Sequence, residues 1–198
     1  MWKVAIVSVA AIAAGLYVFR AEVPVISEVV RDSSSVEVIS KPEYSQKDLA
    51  AMTPDQLLEM QSVALSAVRD TAGDAGELKS LDSRPDFVSP AEWLMLRAVA
   101  GRNAEPEQEL LRLVNLLRFN KQLEALEIAS DEREKEQLSE AVLSRIPQRI
   151  ENQEMSVEKA QRIQLRIISA MYEDEDRIRS RAAEEARRIG SEFSIKAS

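Results

Sequence analysis

Two helix-start motifs constrain this fold more than any other feature of the sequence. Residues 53–56 read Thr-Pro-Asp-Gln and residues 89–92 read Ser-Pro-Ala-Glu. In this pattern, a capping box, the hydroxyl accepts a hydrogen bond from the backbone three positions later, and the side chain there accepts one in return. Proline suits the second position because the first helical residue needs no backbone donor. Each motif therefore predicts the beginning of an α-helix.

Apolar residues repeat at helical spacing after both motifs and along most of the remaining chain. The chain has only 5 glycines, and Gly73, Gly101 and Gly190 fall where a periodic stretch stops, as helix-ending glycines do. The acidic run 173–176 interrupts the last stripe, which indicates two helices or one kinked pair there. The predicted helices cover residues 54–72, 90–100, 106–129, 131–145, 157–171 and 178–189.

These segments predict an all-α fold, arranged as an extended multi-helix array because the stripes in 131–189 are narrow and the opposite faces are charged. The segment 106–129 is apolar around more than half of its circumference, so it is central or has two partners. Pro147 is expected to stop or kink its helix, because the ring removes a donor and clashes with the preceding turn. Residues 73–88 form a long irregular connection, and such loops are functional or mobile.

An apolar segment at the amino terminus predicts insertion into a membrane. Residues 4–19 carry no charge and cover roughly 24 Å as a helix, near the short limit for a bilayer core of about 30 Å. Trp2 and Tyr17 suit the two membrane interfaces, and Lys3 and Arg20 flank the segment. We expect an uncleaved signal anchor that crosses the membrane once.

The alternative is a cleaved secretory signal, which also begins with a positive charge and a short apolar stretch. Small residues at the spacing of a cleavage site occur only inside the apolar run, at 11–15, and Phe19 stands where cleavage after Ala21 needs a small residue. The charge before the span and the acidic residues after Arg20 orient the amino terminus towards the cytoplasm. The predicted location is therefore the inner membrane, with the remainder of the chain in the periplasm.

The chain divides into four parts on this interpretation. We expect a transmembrane anchor at 1–20, a flexible tether at 21–52, a helical partner-binding domain at 53–190 and a frayed tail at 191–198. The tether is rich in Val, Ser, Glu and Pro and has no helical period and no second clear strand to pair with. A tether of about 30 residues holds a domain roughly 30 Å from the membrane on average.

The absence of His and Cys excludes most enzyme chemistry. Catalytic triads, Cys/His zinc sites, the usual haem and iron–sulfur ligands and disulfides all need these residues. Paired carboxylates remain, but none stands in the apolar or glycine-lined context that acid–base catalysis requires. The run 173–176 lacks the turn and the distal glutamate of a calcium loop and suits the first turn of a helix. We expect no catalytic residues, no cofactor and no metal site.

The net charge and the large number of apolar residues at 106–129 indicate what kind of molecule this protein binds. The net charge of -8 becomes -10 without Lys3 and Arg20, and a nucleic-acid partner would require clustered Lys and Arg, so none is expected. The apolar residues at 106–129, with Trp93 and Met95, are more than one helix face can hold. Either all of them are buried in the core of this domain, or some form a surface that becomes buried when a partner protein binds. The candidate partner-binding residues are Arg84, Phe87, Trp93, Met95, Leu113, Leu117 and Phe119.

Three stretches of the carboxy-terminal half are similar to a known family. They read Leu-Leu-Arg-Phe-Asn-Lys-Gln-Leu at 116–123, Leu-Ser-Arg-Ile-Pro-Gln-Arg at 143–149 and Ser-Val-Glu-Lys-Ala-Gln-Arg at 156–162. Together with the anchor, the tether and the helical body, they resemble the membrane-anchored lipase foldases and related phospholipase accessory proteins. Residues 84–87, Arg-Pro-Asp-Phe, partly match the foldase signature that begins Arg-x-x-Phe-Asp-Tyr. The resemblance implies a steric chaperone of a secreted hydrolase.

The function predicted from the sequence is that of a non-enzymatic accessory protein. It is expected to bind an exported lipase or phospholipase and to assist its folding or secretion from a membrane-anchored position. The alternative is a structural scaffold subunit of a cell-envelope secretion or division assembly, in which the anchor and the tether position the helices.

Overall fold

The computed structural model describes residues 44–74 and 76–190, and every regular element in these two ranges is an α-helix. This confirms the all-α prediction. The anchor with Trp2, Lys3, Tyr17 and Arg20, most of the tether, and the tail lie outside the described residues. The helices are α1 Gln46–Ala50, α2 Pro54–Asp70, α3 Pro90–Ala100, α4 Pro106–Ile128, α5 Glu132–Glu151, α6 Val157–Met171 and α7 Glu175–Arg188.

Both predicted capping boxes are present at the start of their helices. The backbone N–H of Thr53 donates to Gln56 Oε1 at 2.9 Å, and the Gln56 N–H donates back to the Thr53 hydroxyl at 3.3 Å. Ser89 and Glu92 repeat the exchange at 2.8 and 3.3 Å. Local sequence therefore determines where α2 and α3 begin, as predicted.

The first helix, α1, lies inside the segment that the sequence assigned to the tether. Ser45 caps it, and the Ser45 N–H donates to the carboxylate of Asp48 at 2.9 Å, which completes a third capping box. None of its residues is buried, but α1 packs against α3. Within the described residues the first helix thus begins at Gln46, ahead of the first predicted helix at 54–72. A Ser followed three positions later by Asp was the available signal.

The helix α5 continues through Pro147 to Glu151, so of the two predicted effects of the proline, a stop or a kink, the stop is wrong. Proline removes one hydrogen bond of the helix and strains the preceding turn. On either side of it, however, Arg145, Ile146 and Arg149 are buried almost completely. Their contacts with the rest of the protein outweigh the local preference for a helix end.

The acidic run 173–176 separates two helices, one of the two predicted arrangements. Asp174 caps α7 by accepting a hydrogen bond from the Arg177 N–H at 2.8 Å, and Glu175 and Asp176 occupy the first turn. Carboxylates there complement the partial positive charge of the helix start. Among the described residues no group of three or more acidic side chains could hold a metal ion.

None of the helices in the described ranges, 44–74 and 76–190, is long and apolar enough to cross a membrane.

The helix α4 is central, as its sequence predicted, since it packs against α2, α3 and α5. The helix α5 also packs against α6, and α6 packs against α7. One apolar cluster includes Phe87 and Trp93 together with Val114 and Ala125 of α4. A second cluster includes Phe119 of α4 and residues of α6 and α7. The helix α4 thus contributes to both parts of the core.

Candidate partner-binding grooves and a buried arginine cluster

The connection between α2 and α3, residues 71–89 and here called the strap, has no helix or strand among its described residues but is fixed to α4. Asn115 on α4 accepts a hydrogen bond from the Leu78 N–H at 2.9 Å and donates its amide to the Leu78 carbonyl at 3.1 Å. One side chain therefore satisfies both backbone groups of Leu78, as a neighbouring strand would. At the end of the strap, Lys121 donates to the Phe87 carbonyl at 2.8 Å and to Glu92 on α3 at 2.7 Å.

Three arginines under the strap, Arg118, Arg145 and Arg149, are each only 1% exposed. Arg118 on α4 donates to the carbonyl of Thr71 at 2.9 Å and to the carboxylate of Asp74 at 3.0 Å. Arg145 on α5 donates to the backbone carbonyl of Asp74 at 3.0 Å. Two helices thus bind the same short stretch of the strap through guanidinium groups.

The third arginine, Arg149, is held between two carboxylates. It lies 2.9 Å from Glu77 on the strap and 2.8 Å from Glu154, and neither contact is aligned as a hydrogen bond, so charge attraction dominates. Glu154 also pairs with Arg112 on α4, which forms two further hydrogen bonds to Glu109. These hydrogen bonds raise the pKa of Arg112 and lower that of Glu109. Charges on α4, on the strap and after α5 are therefore linked in one network.

Burial of these cations is costly, and their partners offset the cost. Burial lowers the pKa of Arg118, and burial together with the charge of Arg118 lowers the pKa of Arg145 to about 10, so both remain protonated at neutral pH. A buried charge left without any partner destabilises a protein by about 3–5 kcal/mol. Because these guanidinium groups bind groups of this same chain, the cluster is suited to clamping the strap rather than to binding a ligand.

A groove lined by methionine, here called the N-terminal groove, lies between α2 and the end of the strap. Its volume is about 430 Å³. Val63 on its wall is 62% exposed. The acidic side chains Glu59 and Asp86 also line it, as does Arg84, which donates to the Val88 carbonyl. Its apolar lining consists of Tyr44, Met52, Met60, Val63, Ala64 and Pro90.

A second hollow, here called the C-terminal cleft, is formed by α4, α5 and α6 with Tyr172. Its volume is about 530 Å³. Its apolar lining consists of Leu126, Ile167, Ala170, Met171 and Tyr172. Its charged lining consists of Glu127, Glu132, Lys135, Glu136 and Arg166.

The candidate residues from the sequence lie in three different environments. Phe87, Trp93 and Phe119 are buried in the two core clusters, and Leu113 and Leu117 are half-buried against the first. Met95 is 57% exposed on α3. Of the seven candidates only Arg84 lines the N-terminal groove. A partner could reach Met95 and Arg84 without disturbing the core.

Sequence reasoning missed the residues that form the two hollows. Met52 falls in the segment 21–52 that the sequence assigns to the tether, Val63 belongs to the apolar stripe of the predicted helix 54–72, and Ile167 and Met171 lie on one face of the predicted helix 157–171. Their spacing indicates one face of a helix, but not whether that face is covered. No signal in the sequence distinguishes a covered apolar stripe from an open one.

No family model, curated protein or solved structure matches this chain. The resemblance to lipase foldases and phospholipase accessory proteins therefore depends on the sequence stretches alone.

Proposed function

We propose that this chain is a membrane-anchored accessory protein that binds an exported protein partner. The observation that supports the proposal is the distribution of exposed apolar side chains. In the described part of the chain, six large apolar side chains are exposed, and four of them, Leu58, Val63, Met95 and Val99, lie on α2 and α3. Met95 and Val99 are one helical turn apart on α3, so they lie side by side on one face, and adjacent exposed apolar side chains favour association with another protein.

The lining of the N-terminal groove suits a protein partner. Methionine is flexible and polarizable, so Met52 and Met60 can adapt to side chains of different shapes. The strap forms one wall through Arg84 and Asp86, and the buried arginines hold the strap in place. A wall that is already ordered reduces the entropy lost on binding.

The proposal includes the location of the protein. Residues 1–20 anchor it in the inner membrane, the tether follows, and the helical domain lies in the periplasm. The groove includes Tyr44, the first described residue, so a bound partner would lie beside the end of the tether. Without imidazole or thiol groups, the protein would act by binding and not by covalent chemistry, and it would need no cofactor.

The proposed partner is a secreted lipase or phospholipase, on the resemblance of three sequence stretches to accessory proteins of such hydrolases. The mechanism would be steric. A surface that binds a near-native state of the hydrolase more tightly than its unfolded states shifts the population towards the native enzyme. The mechanism requires only that the surface bind the near-native state of the hydrolase more tightly than its unfolded states.

The test is to co-express the full chain with a secreted lipase or phospholipase of the same cell. We expect the chain to raise secreted hydrolase activity and to co-purify with the enzyme. Val63→Glu, at a largely exposed position, should abolish both effects while leaving the helicity unchanged. Ser62→Glu, exposed on the same helix outside the groove, is the matched control. Equal activity with and without the chain, and no complex, would refute the chaperone proposal.

The second candidate function is a scaffold subunit of an envelope secretion or division assembly. The observation that favours it is the presence of two separate hollows, one between α2 and the strap and one between α4, α5 and α6. A protein with two such surfaces could hold two partners at once. A scaffold would form ternary complexes and would leave hydrolase activity unchanged, which distinguishes it from the chaperone.

A further inference from the structure

The C-terminal cleft has an apolar floor that is partly exposed to solvent. Leu126 from α4 and Met171 from α6 are half-buried there and the small side chain of Ala170 is exposed, whereas Ile167 beneath them is 3% exposed and belongs to the core. A small residue on an open floor allows a large side chain or a whole helix to approach closely. The floor is therefore suited to apolar groups from another chain.

The walls of the cleft are about two helical turns long. On α5 the lining residues are Glu132, Lys135, Glu136 and Ser139, at the spacing of one helix face. Glu132 and Ser139 are seven positions apart, and seven rises of about 1.5 Å give roughly 10 Å. An amphipathic helix presents apolar side chains at positions i, i+3 or i+4, and i+7 over the same length.

A helix suits this cleft better than an extended peptide. The walls are α-helices, whose backbone groups are already hydrogen-bonded within each helix, and the described residues contain no strand edge for an added strand to join. An extended segment on the apolar floor would leave its own backbone groups unsatisfied. A helical partner brings its backbone hydrogen bonds with it.

The charges at the cleft favour a partner with positive charge. Arg166 on α6 pairs with Glu127 on α4 at 3.1 Å, and Lys135 pairs with Glu132 at 2.6 Å, whereas Glu136 forms no ion pair with another described residue. The Glu127–Arg166 pair is more than half exposed on both sides, and such pairs contribute little to stability. A partner cation can therefore pair with Glu136 or replace Arg166 at Glu127 at low cost.

We infer that the C-terminal cleft is a docking site for an amphipathic helix of a partner protein that carries a lysine or arginine beside its apolar side chains. The site is independent of the N-terminal groove. Apolar contact with Leu126, Ala170 and Met171 provides the affinity, and Glu127 and Glu136 select positive over negative flanking charge.

The test uses two synthetic amphipathic helices of about four turns, one of leucine and lysine and one of leucine and glutamate. Each is labelled with a fluorophore and titrated with the full chain in phosphatidylcholine nanodiscs. We expect the lysine helix to bind about ten-fold more tightly than the glutamate helix, in line with electrostatic selection. Ala170→Arg, at an exposed position, should abolish this binding, and Ser169→Arg, exposed on the same helix outside the cleft, should preserve it. Glu136→Lys should reduce the preference for the lysine helix.

Two results would overturn the inference. The first is equal binding of the lysine helix to the parent chain and to the Ala170→Arg variant, which would indicate lipid or another surface. The second is loss of binding in Val63→Glu but not in Ala170→Arg. That result would place the peptide in the N-terminal groove, and would support the proposed function while contradicting the assignment of the cleft.

Discussion

The guanidinium of Arg118 lies 3.0 Å from the carboxylate of Asp74, yet the Arg118 side chain is 2% exposed and that of Asp74 is 63% exposed. The ion pair thus joins a buried cation to a solvated anion. Water screens the charge of Asp74, whereas the contacts of Arg118 to Thr71 are shielded from water. The two residues contribute unequally to stability.

Arg118→Ala is expected to lower the free energy of unfolding by about 3 kcal/mol, and Asp74→Ala by about 1 kcal/mol. The arginine variant leaves a cavity and removes the donors of the strap, whereas the aspartate variant removes a screened partner. Urea unfolding followed by circular dichroism measures both values. Arg133→Ala, at an exposed arginine, should change stability by less than about 0.5 kcal/mol. Equal losses in the Arg118 and Asp74 variants would contradict the asymmetry.

Asn115→Ala is expected to free the strap at Leu78. Both backbone hydrogen bonds of Leu78 to Asn115 are lost, so the Leu78 amide should exchange with solvent faster, and stability should fall by about 1–2 kcal/mol. Asn115→Asp keeps the acceptor for the Leu78 N–H but loses the donor, and should retain part of the protection. Hydrogen exchange resolved at Leu78 distinguishes the two. Unchanged exchange in the alanine variant would show that Asn115 does not hold the strap.

The stability contributed by Glu185 on α7 should depend on pH. Burial raises its pKa above the ordinary value of 4.5, against the opposing effect of Arg188. Above pH 4.5 the folded state therefore binds more protons at this group than the unfolded state, and stability falls as pH rises through the raised pKa. Below pH 4.5 the effect is absent.

Glu185→Gln removes this dependence. The difference in unfolding free energy between variant and parent should shift in favour of the variant as pH rises from below 4.5 to neutrality. Thermal unfolding at several pH values measures the shift. Glu184→Gln, at an exposed neighbour, is the control and should give a flat difference. A shift in the opposite direction would show that ion pairs with Arg181 and Arg188 dominate over burial.

Pro147→Ala is expected to stabilise the protein by about 1 kcal/mol. The alanine restores the backbone donor to the Leu143 carbonyl, and the gain is partly offset because the unfolded chain becomes more flexible. The measurement is the unfolding midpoint in urea. Gln137→Ala, exposed on the same helix, should change it by less than about 0.5 kcal/mol. A loss of stability would mean that the ring of Pro147 packs against its surroundings more favourably than the donor would.

Local signals in the sequence were sufficient to predict much of the helical structure. The capping boxes at Thr53 and Ser89 marked two helix starts to the residue, and Ser156 and Asp174 cap α6 and α7 with one hydrogen bond each. Caps and apolar period depend on residues within a few positions of each other, so they can be read without the tertiary structure. The candidate site could not be read in this way, since Trp93 and Met95 are equally apolar neighbours of which one is buried and one exposed.

The sequence by itself determined the helical class, most helix boundaries and the absence of imidazole and thiol chemistry. Only the tertiary structure decided that α5 continues through Pro147 and that Arg118, Arg145 and Arg149 are buried. An arginine on a helix is by default solvated, because burying its charge is costly. Partners from a distant part of the chain, the strap at Asp74 and Glu77, offset that cost. Such compensation exists only once the fold brings these residues together.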